Sequence, residues 1–302
     1  MFNASNPHLP GTDLKVWLDG KIVPMEEAKI SVFDHGVLYG DGVFEGIRAY
    51  NGKVFQMEAH MRRLYQGAGA ICLQIPIGKE AFEKAIYDTL EANNLNNAYI
   101  RAVVTRGAGY LGLHPGKTAN PSVFIITAGL ALYPLELYEK GMPIITASTI
   151  RNHPHAVSAQ VKSLNYLNNI MAQIEATQAG VVEAVMLNHE GYVAECTGDN
   201  IFIVRKGELL TPPPSAGILE GVTRAVVMEL AKRRGIAVHE KNMTRHDLYV
   251  ADECFLTGTG AEIMPITHID QRQIGCGKIG VMTRQLLEDF WACTKGQIDV
   301  QV

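Results

Sequence analysis

The spacing of hydrophobic positions along this chain changes several times, and the changes predict a mixed α/β fold. In LKVWLDGKIVP (14–24) apolar and polar residues alternate on either side of Asp19-Gly20, which predicts two short strands joined by a hairpin turn. KVFQM (53–57) reads as another strand. EAHMRRLYQGAGAI (58–71) and KEAFEKAIYDTLEANNL (79–95) instead repeat their apolar residues at the three-to-four spacing of an amphipathic helix. AYIRAVVTRG (98–107) and SVFIITAGLAL (122–132) are apolar runs rich in β-branched residues, as buried strands are.

At ALYPLELYEKGMP (131–143) the pattern breaks around Pro134, Gly141 and Pro143, and a new apolar run, IITASTI, begins. This predicts a smaller unit over 1–133, a linker over 134–141 and a larger unit over 142–302. In the larger unit, LNYLNNIMAQIEATQAG, which follows Lys162, reads as a helix packed by Leu164, Leu167 and Ile170. Next come a strand at 182–188, a His189-Glu190-Gly191 turn, strand pieces in GYVAE and NIFIVRKGELLTP, and a helix from Val222 to Arg234. The strands IAVHEK and ECFLTGT and a helix near 278–294 complete the series.

With 302 residues, 47% of them hydrophobic and 19% charged, the chain can bury a large core. A net charge of −4 without blocks of like charge gives no electrostatic footprint for nucleic acid or an anionic membrane. Small molecules are therefore the expected partners. The five cysteines are scattered with neither C-x-x-C nor metal-ligand spacing, so neither a disulfide framework nor a metal site is expected. MFNASNPHLPGTD has no basic segment followed by an apolar one, and no apolar run approaches the roughly 18 residues of a membrane span. These features predict a reducing, cytoplasmic compartment.

Three stretches could carry chemistry. In LEGVTRAVVMELAKRRG (219–235) Gly221 precedes a periodic helix, so the unpaired N–H groups of Val222 and Thr223, with the Thr223 hydroxyl, suit a phosphate as well as an ordinary capped turn. In VAECTGDNIFIV (193–204) Glu195 ends a strand, where a carboxylate is either solvated or, inside a pocket, able to hold a heteroaromatic ring nitrogen protonated. FLTGTGAEIMPI (255–266) contains Thr257-Gly258-Thr259-Gly260, small residues that form a plain turn or bring backbone N–H groups close to an anion. GDGVFEG (40–46) has the spacing of neither G-x-G-x-x-G nor a phosphate loop. Lys162 alone reads as a solvated charge. Together, however, a lysine, two anion sites and a strand-end glutamate are the parts that hold pyridoxal 5′-phosphate, with the lysine forming the Schiff base.

The blocks YGDGVFEGIRAY (39–50), HMRRL (60–64), AYIRAVVTRG (98–107), VKSLNYL (161–167), AECTGDNIF (194–202), LEGVTR (219–224) and TGTGAEI (257–263) resemble, in this order, the fold-type IV pyridoxal-phosphate enzymes. Within them the chain is most similar to branched-chain amino acid aminotransferases, from about Trp17 to Trp291. The resemblance implies a smaller N-terminal α/β domain and a larger C-terminal pseudo-barrel domain with flanking helices. It implies transfer of the amino group of L-leucine, L-isoleucine or L-valine to 2-oxoglutarate by a ping-pong route.

Carried over residue by residue, Lys162 would hold the cofactor and shuttle the α-proton, Glu195 would pair with the pyridine nitrogen, and Tyr166, in the helix after the lysine, would bond the ring oxygen. Arg63, the backbone of Val222 and Thr223, and the Thr259 hydroxyl would bind the phosphate, with Arg62 a surface neighbour. Tyr39, Phe44 and Gly46 would shape the side-chain pocket, and Gly258, Thr259 and Gly260 would meet the α-carboxylate. Tyr99 and Arg101, two apart on a strand, share one face, from which Arg101 would reach the second carboxylate of glutamate. His35 stays outside the site. The resemblance also implies a homodimer or higher homo-oligomer whose neighbouring subunit completes the pocket. D-amino acid aminotransferase, (R)-amine transaminase, aminodeoxychorismate lyase and a noncatalytic cofactor-binding relative are the other readings. Gly260, where some branched-chain enzymes carry alanine, bears on substrate breadth.

Overall fold

The computed structural model describes residues 13–129 and 133–302; the N-terminal MFNASNPHLPGT and the end of the expected strand, Leu130 to Leu132, lie outside them. Strands β1 (Lys15–Leu18) and β2 (Lys21–Pro24) form the expected hairpin, with Leu18 opposite Lys21. Its two turn residues, Asp19 and Gly20, have φ of 45° and 92°, the left-handed pair that a two-residue turn between twisted strands requires. After the short helix α1 (His35–Tyr39) come β3 (Gly42–Tyr50), β4 (Lys53–Val54), α2 (Met57–Ala70), α3 (Lys79–Ala92), β5 (Ala98–Thr105) and β6 (Ser122–Ala128). The six strands make one antiparallel sheet in the order β2-β1-β6-β5-β3-β4. Ile47 and Ile100 of this sheet pack with Met61 and Leu64 of α2 and Phe82 and Ile86 of α3 in one core.

The rest of the chain comprises α4 (Leu135–Lys140), β7 (Met142–Thr146), α5 (Leu167–Gln178), β8 (Ala184–Leu187), β9 (Val193–Cys196), β10 (Asn200–Arg205) and β11 (Glu208–Thr211). It continues through α6 (Val222–Arg233), β12 (Val238–Glu240), α7 (Arg245–Tyr249), β13 (Glu253–Gly258), β14 (Glu262–Ile269), β15 (Arg272–Gln273) and α8 (Val281–Thr294). Its sheet has the order β12-β11-β10-β13-β14-β7-β8-β9, with β15 paired to β14. β9 and β10 are consecutive in the chain with only Thr197, Gly198 and Asp199 between them, yet four strands separate them in the sheet. The sheet must therefore roll up until they meet, and Cys196 N–H donates to the Asp199 carbonyl at 2.8 Å across that closure. This roll is the pseudo-barrel that the resemblance implies. Phe202 and Phe255, both fully buried, stack at 5.1 Å in its core, and Val226 of α6 and Phe290 of α8 pack into the same cluster.

Three expectations change. Only Lys53–Val54 of KVFQM is strand: Gln56 takes a φ of 51° and α2 begins at Met57, while the Phe55 ring packs edge-on to Phe290 of α8 at 5.5 Å. Its hydrophobicity serves a contact with the other half of the chain. The stretch 134–141 carries α4, whose Tyr138 is buried in the larger core. The helix after Lys162 begins at Leu167, with Tyr166 at its N-cap, and turns Asn169, Ala172 and Ala176 inward. Leu167 and Ile170, expected to pack it, are 69% and 50% exposed, and the packed face is made instead by Ala172 and Ala176 against Ala184 and Met186 of β8.

Phe202→Ala removes one ring of the stacked pair and is expected to destabilise the protein by about 3–5 kcal/mol. A shift of the chemical-denaturation midpoint at fixed protein concentration measures this, and a loss below about 1 kcal/mol would mean that the stack is not a core contact.

Candidate active site

Lys162 is fixed by a seam between the two halves of the chain. β4 pairs only with the far end of β3, leaving the edge at Gly42–Phe44 open, and residues 162–164 occupy it. Phe44 N–H donates to the Lys162 carbonyl at 2.9 Å, and Leu164 N–H donates to the Gly42 carbonyl at 3.0 Å. Gly42 permits this approach, since a Cβ there would come within 2.7 Å of the Leu164 side chain and 2.5 Å of the Val104 carbonyl. The Lys162 amine enters a cavity of about 840 Å³ between the two sheets, donates to the Tyr166 hydroxyl at 2.9 Å and lies 4.6 Å above the Phe44 ring. No carboxylate among the described residues lies within ion-pair distance of it.

Strand alternation builds the opposite wall. Phe44 and Gly46 of β3 face the cavity beside Val103 and Arg101 of β5, their cross-strand partners, and Tyr99 follows on the same β5 face. Gly46 is small for a reason: a Cβ there would sit 2.3 Å from the Tyr99 hydroxyl. That hydroxyl accepts from Arg101 Nη2 at 2.9 Å, and the guanidinium lies 4.4 Å over Phe44.

The other β3 face carries Glu45, fully buried and held by α2. Its carboxylate accepts from Arg63 Nε and Nη2 at 2.7 and 2.8 Å and meets His60 Nδ1 at 2.8 Å. Against the upward pull of burial, the Arg63 guanidinium and His60 hold Glu45 well below the usual carboxylate range. Arg63 Nη1 also donates to the Glu220 carbonyl at 2.9 Å. Three of the five guanidinium donors are thus taken, leaving two for a ligand. Glu195 is organised likewise: it accepts from Arg151 Nε at 2.9 Å, Leu219 N–H at 3.0 Å and Asn200 Nδ2 at 3.1 Å. A carboxylate offers about four acceptor directions, so one stays open. Burial pushes its pKa up while Arg151 and the Leu219 N–H oppose the shift.

The first helical bond of α6 is Ala225 N–H to the Gly221 carbonyl, so the N–H groups of Val222, Thr223 and Arg224 lie outside the helical pattern, and Val222 and Thr223 line the cavity. Gly258, Thr259 and Gly260 line it too. The Thr257 hydroxyl beside them is buried without a partner among the described residues. Of the residues singled out from sequence, the structure brings together Phe44, Gly46, Arg63, Tyr99, Arg101, Lys162, Tyr166, Glu195, Val222, Thr223, Gly258, Thr259 and Gly260. Tyr39 does not join them: its hydroxyl accepts from Gly112 N–H at 3.0 Å and its ring packs on His35. His35 is buried and bonded through Nε2 to the Tyr110 carbonyl at 3.0 Å, pinning the 109–113 loop to α1. Arg62 points away, toward Glu58.

Sequence reasoning passed over Glu45, His60, Arg151 and Asn200, which aim the singled-out residues, and Tyr133, Glu183 and Asp199, which line the cavity. For Glu45 a signal existed, a charge inside the otherwise apolar strand VFEGI.

The amino-transferase class IV family pattern matches residues 42–269. A protein of Methanocaldococcus jannaschii is 52% identical over 277 residues, covering 92% of this chain and 95% of its own. The branched-chain-amino-acid aminotransferase of Pseudomonas aeruginosa is 37% identical, covering 94% of each chain. The crystal structure of the branched-chain amino acid aminotransferase from Thermobaculum terrenum, in its pyridoxal-phosphate holo-form, superposes with a TM-score of 0.84 at 32% identity, covering 95% of each chain. The chain belongs to the amino-transferase class IV family.

Asp199 and Glu183 stand close in one buried wall of the cavity. Burial first, and the neighbouring Glu183 second, push the Asp199 carboxyl up to about 8. In the unfolded chain the same carboxyl releases its proton near pH 3.9, so between about pH 4 and the folded value the native state holds a proton that the unfolded state has lost. Stability from this group is therefore complete at low pH, falls as pH rises across that window and levels off above it. The melting temperature is expected to decline between about pH 5 and about pH 8, and Asp199→Asn, which cannot ionise, should flatten the decline. An equal decline in the variant excludes Asp199 as the titrating group.

Proposed function

We propose that this class IV aminotransferase binds pyridoxal 5′-phosphate in the cavity and transfers the amino group of L-leucine, L-isoleucine or L-valine to 2-oxoglutarate, reversibly and in two half-reactions. One observation carries the reading: a lysine amine without an ion-pair partner among the described residues, a buried carboxylate with one open acceptor direction and a helix start with unpaired N–H groups share a single cavity. The names of the Pseudomonas and Thermobaculum relatives support the substrate class, and the holo-form of the latter supports the cofactor. The donor set fits that cofactor, and the Thr257 hydroxyl, buried without a partner among the described residues, marks polar capacity left for a ligand.

When bound, pyridoxal 5′-phosphate supplies a carbonyl carbon that accepts the amino group and a ring that withdraws electrons from the substrate's α-carbon. Val222 and Thr223 N–H, the two free donors of Arg63 and the Thr259 hydroxyl would hold its phosphate. Glu195 would accept from the ring nitrogen and Tyr166 would bond the ring oxygen. Lys162 Nζ, neutral once displaced, would take the α-proton and return it on the other side of the exchange. Phe44 and Val103 give an aliphatic side chain an apolar wall, Arg101 offers a cation to the second carboxylate of glutamate, and the Gly258–Gly260 turn receives the α-carboxylate.

The proposed assembly is a homodimer. Val32, Phe33 and Val37 are 73%, 53% and 62% exposed, and Tyr110 and Leu113 are 83% and 81% exposed on the loop bonded to Tyr39 and His35. Such an apolar surface suits a second copy, whose cavity Tyr39 would border. All five cysteines are free thiols, which supports a reducing, cytoplasmic compartment. Among the described residues no helix is long and apolar enough to cross a membrane.

Lys162→Ala is expected to abolish the half-reaction with L-leucine, by at least about a thousandfold, while cofactor still binds noncovalently; near-normal rates exclude the lysine. A panel of L-leucine, D-alanine and (R)-1-phenylethylamine, each followed by the cofactor's absorbance, should show turnover with the first, and preference for either of the others rejects the branched-chain reading. Arg101→Ala should raise KM for glutamate about tenfold or more with a far smaller change for leucine, since only glutamate brings a second carboxylate. Equal changes for both remove Arg101 from that role.

A further inference from the structure

The hairpin that carries Thr257-Gly258-Thr259-Gly260 closes on Glu262, which pairs with Gly258 across β13 and β14. Glu262 has a φ of 56°, in the left-handed region at the end of a tight turn, where glycine or asparagine is the favoured residue. Unlike Lys206 and Gln271, which also take a left-handed φ, Glu262 has its side chain bonded on both carboxylate oxygens. Its Oε1 accepts from the Tyr50 hydroxyl at 2.8 Å, and its Oε2 accepts from Trp291 Nε1 at 2.8 Å. Arg48 Nη2 lies 4.0 Å from Oε1, with the guanidinium 5.1 Å over the Tyr50 ring. Burial, and then the Glu262 charge, push the Tyr50 phenol upward, so it stays a donor.

The partners come from both halves of the molecule. Arg48 and Tyr50 continue the β3 face that begins with Phe44 and Gly46 in the cavity wall, while Trp291 belongs to α8 and packs against Tyr138 of α4 at 6.3 Å. The Glu262 side chain is 13% exposed. We propose that Glu262 is a positioning residue for the reaction: held by Tyr50, Arg48 and Trp291, it locks the backbone of the Gly258–Gly260 turn in register with the Phe44–Gly46 wall, and so sets the affinity for the substrate's α-carboxylate. This rests on the reading of that turn as the carboxylate site. The latch explains why the turn tolerates a left-handed glutamate, and why one strand supplies both the side-chain wall and the anchor.

The test uses the holoenzyme and 4-methylpentanoate, which is leucine's carbon skeleton without the amino group. Glu262→Gly satisfies the backbone but deletes the latch, Glu262→Gln keeps the shape without the charge, and Gly260→Pro deletes an N–H of the turn itself. Glu262→Gly is expected to weaken 4-methylpentanoate binding, and to raise KM for both leucine and 2-oxoglutarate, on the order of tenfold, with Glu262→Gln intermediate. Affinity for pyridoxal 5′-phosphate should change less, because of the phosphate's proposed donors only the Thr259 hydroxyl lies on the turn, while Arg63 and the start of α6 lie apart from it. Wild-type binding of 4-methylpentanoate by Glu262→Gly, alongside its loss in Gly260→Pro, overturns the latch while leaving the carboxylate turn standing. Wild-type binding by Gly260→Pro overturns the turn and the latch with it. Equal losses of cofactor affinity and 4-methylpentanoate affinity in Glu262→Gly would make the residue a general structural support, and also overturn the proposal.

Discussion

The two backbone hydrogen bonds that zip Lys162–Leu164 onto the open edge of β3 are the constraint on which the site depends. They tie a residue of the larger half to a strand of the smaller one, and β3 alternates with a period of two. Once Phe44 is bonded to Lys162, every other β3 side chain has an assigned face: Phe44, Gly46, Arg48 and Tyr50 on one, Glu45 and Ile47 on the other. A slip of one residue would turn Glu45 into the pocket and bury Arg48 in the core, so the register is specified by both faces at once.

Pairing of opposite charges is how so many ionised groups stand in one interior. Arg63 and Arg151 each face a buried carboxylate, Glu45 and Glu195, with hydrogen bonds to spare. Removing either carboxylate would leave a buried guanidinium uncompensated, which costs far more than the intact pair gains. The pairs do not serve net stability so much as aim: Glu45 takes two donors of Arg63 and fixes that guanidinium at the cavity wall, while Arg151 fixes the Glu195 carboxylate there. Asp199 follows a different rule. No cation among the described residues forms an ion pair with it, and burial and the neighbouring Glu183 raise its pKa, so the wall it forms favours the protonated carboxyl.

Legibility in the sequence followed the range of the interaction. The hairpin at Asp19-Gly20, the helix start at Gly221 and the strand pair Tyr99 and Arg101 are local patterns, and the structure forms each of them. Lys162, Glu195 and Arg63 were legible through blocks of residues that resemble a family, and they converge on one cavity. What aims them was hidden, because Arg151 lies 44 residues from Glu195 and Glu45 lies 18 from Arg63, and no periodicity links such pairs. Leu167 and Ile170 misled for a related reason: apolar spacing marks a face to be covered without saying whether this chain or another copy covers it. Phe55 looked like strand because it is apolar where the chain meets the distant α8, whereas Tyr39 was placed in the pocket by the resemblance and instead meets Gly112 and His35.

Arg101 presents the hardest physical demand, because one pocket is proposed to take both an aliphatic side chain and a carboxylate. A cation in an apolar pocket ordinarily disfavours leucine unless something else satisfies it. Here the guanidinium donates to the Tyr99 hydroxyl and lies 4.4 Å over Phe44 and 5.4 Å over Tyr99, and no carboxylate among the described residues claims it. The aromatic faces give it an attraction that persists in a water-poor site and is weaker than an ion pair. With leucine bound, Arg101 can stay against the rings and present its flat, weakly hydrated face to the side chain. With glutamate bound, a carboxylate would outcompete the rings without having to break an internal salt bridge. The proposed dual recognition would thus follow from leaving Arg101 partnered by π-systems and one hydroxyl, and Gly46 is what lets the Tyr99 hydroxyl come close enough to complete that arrangement.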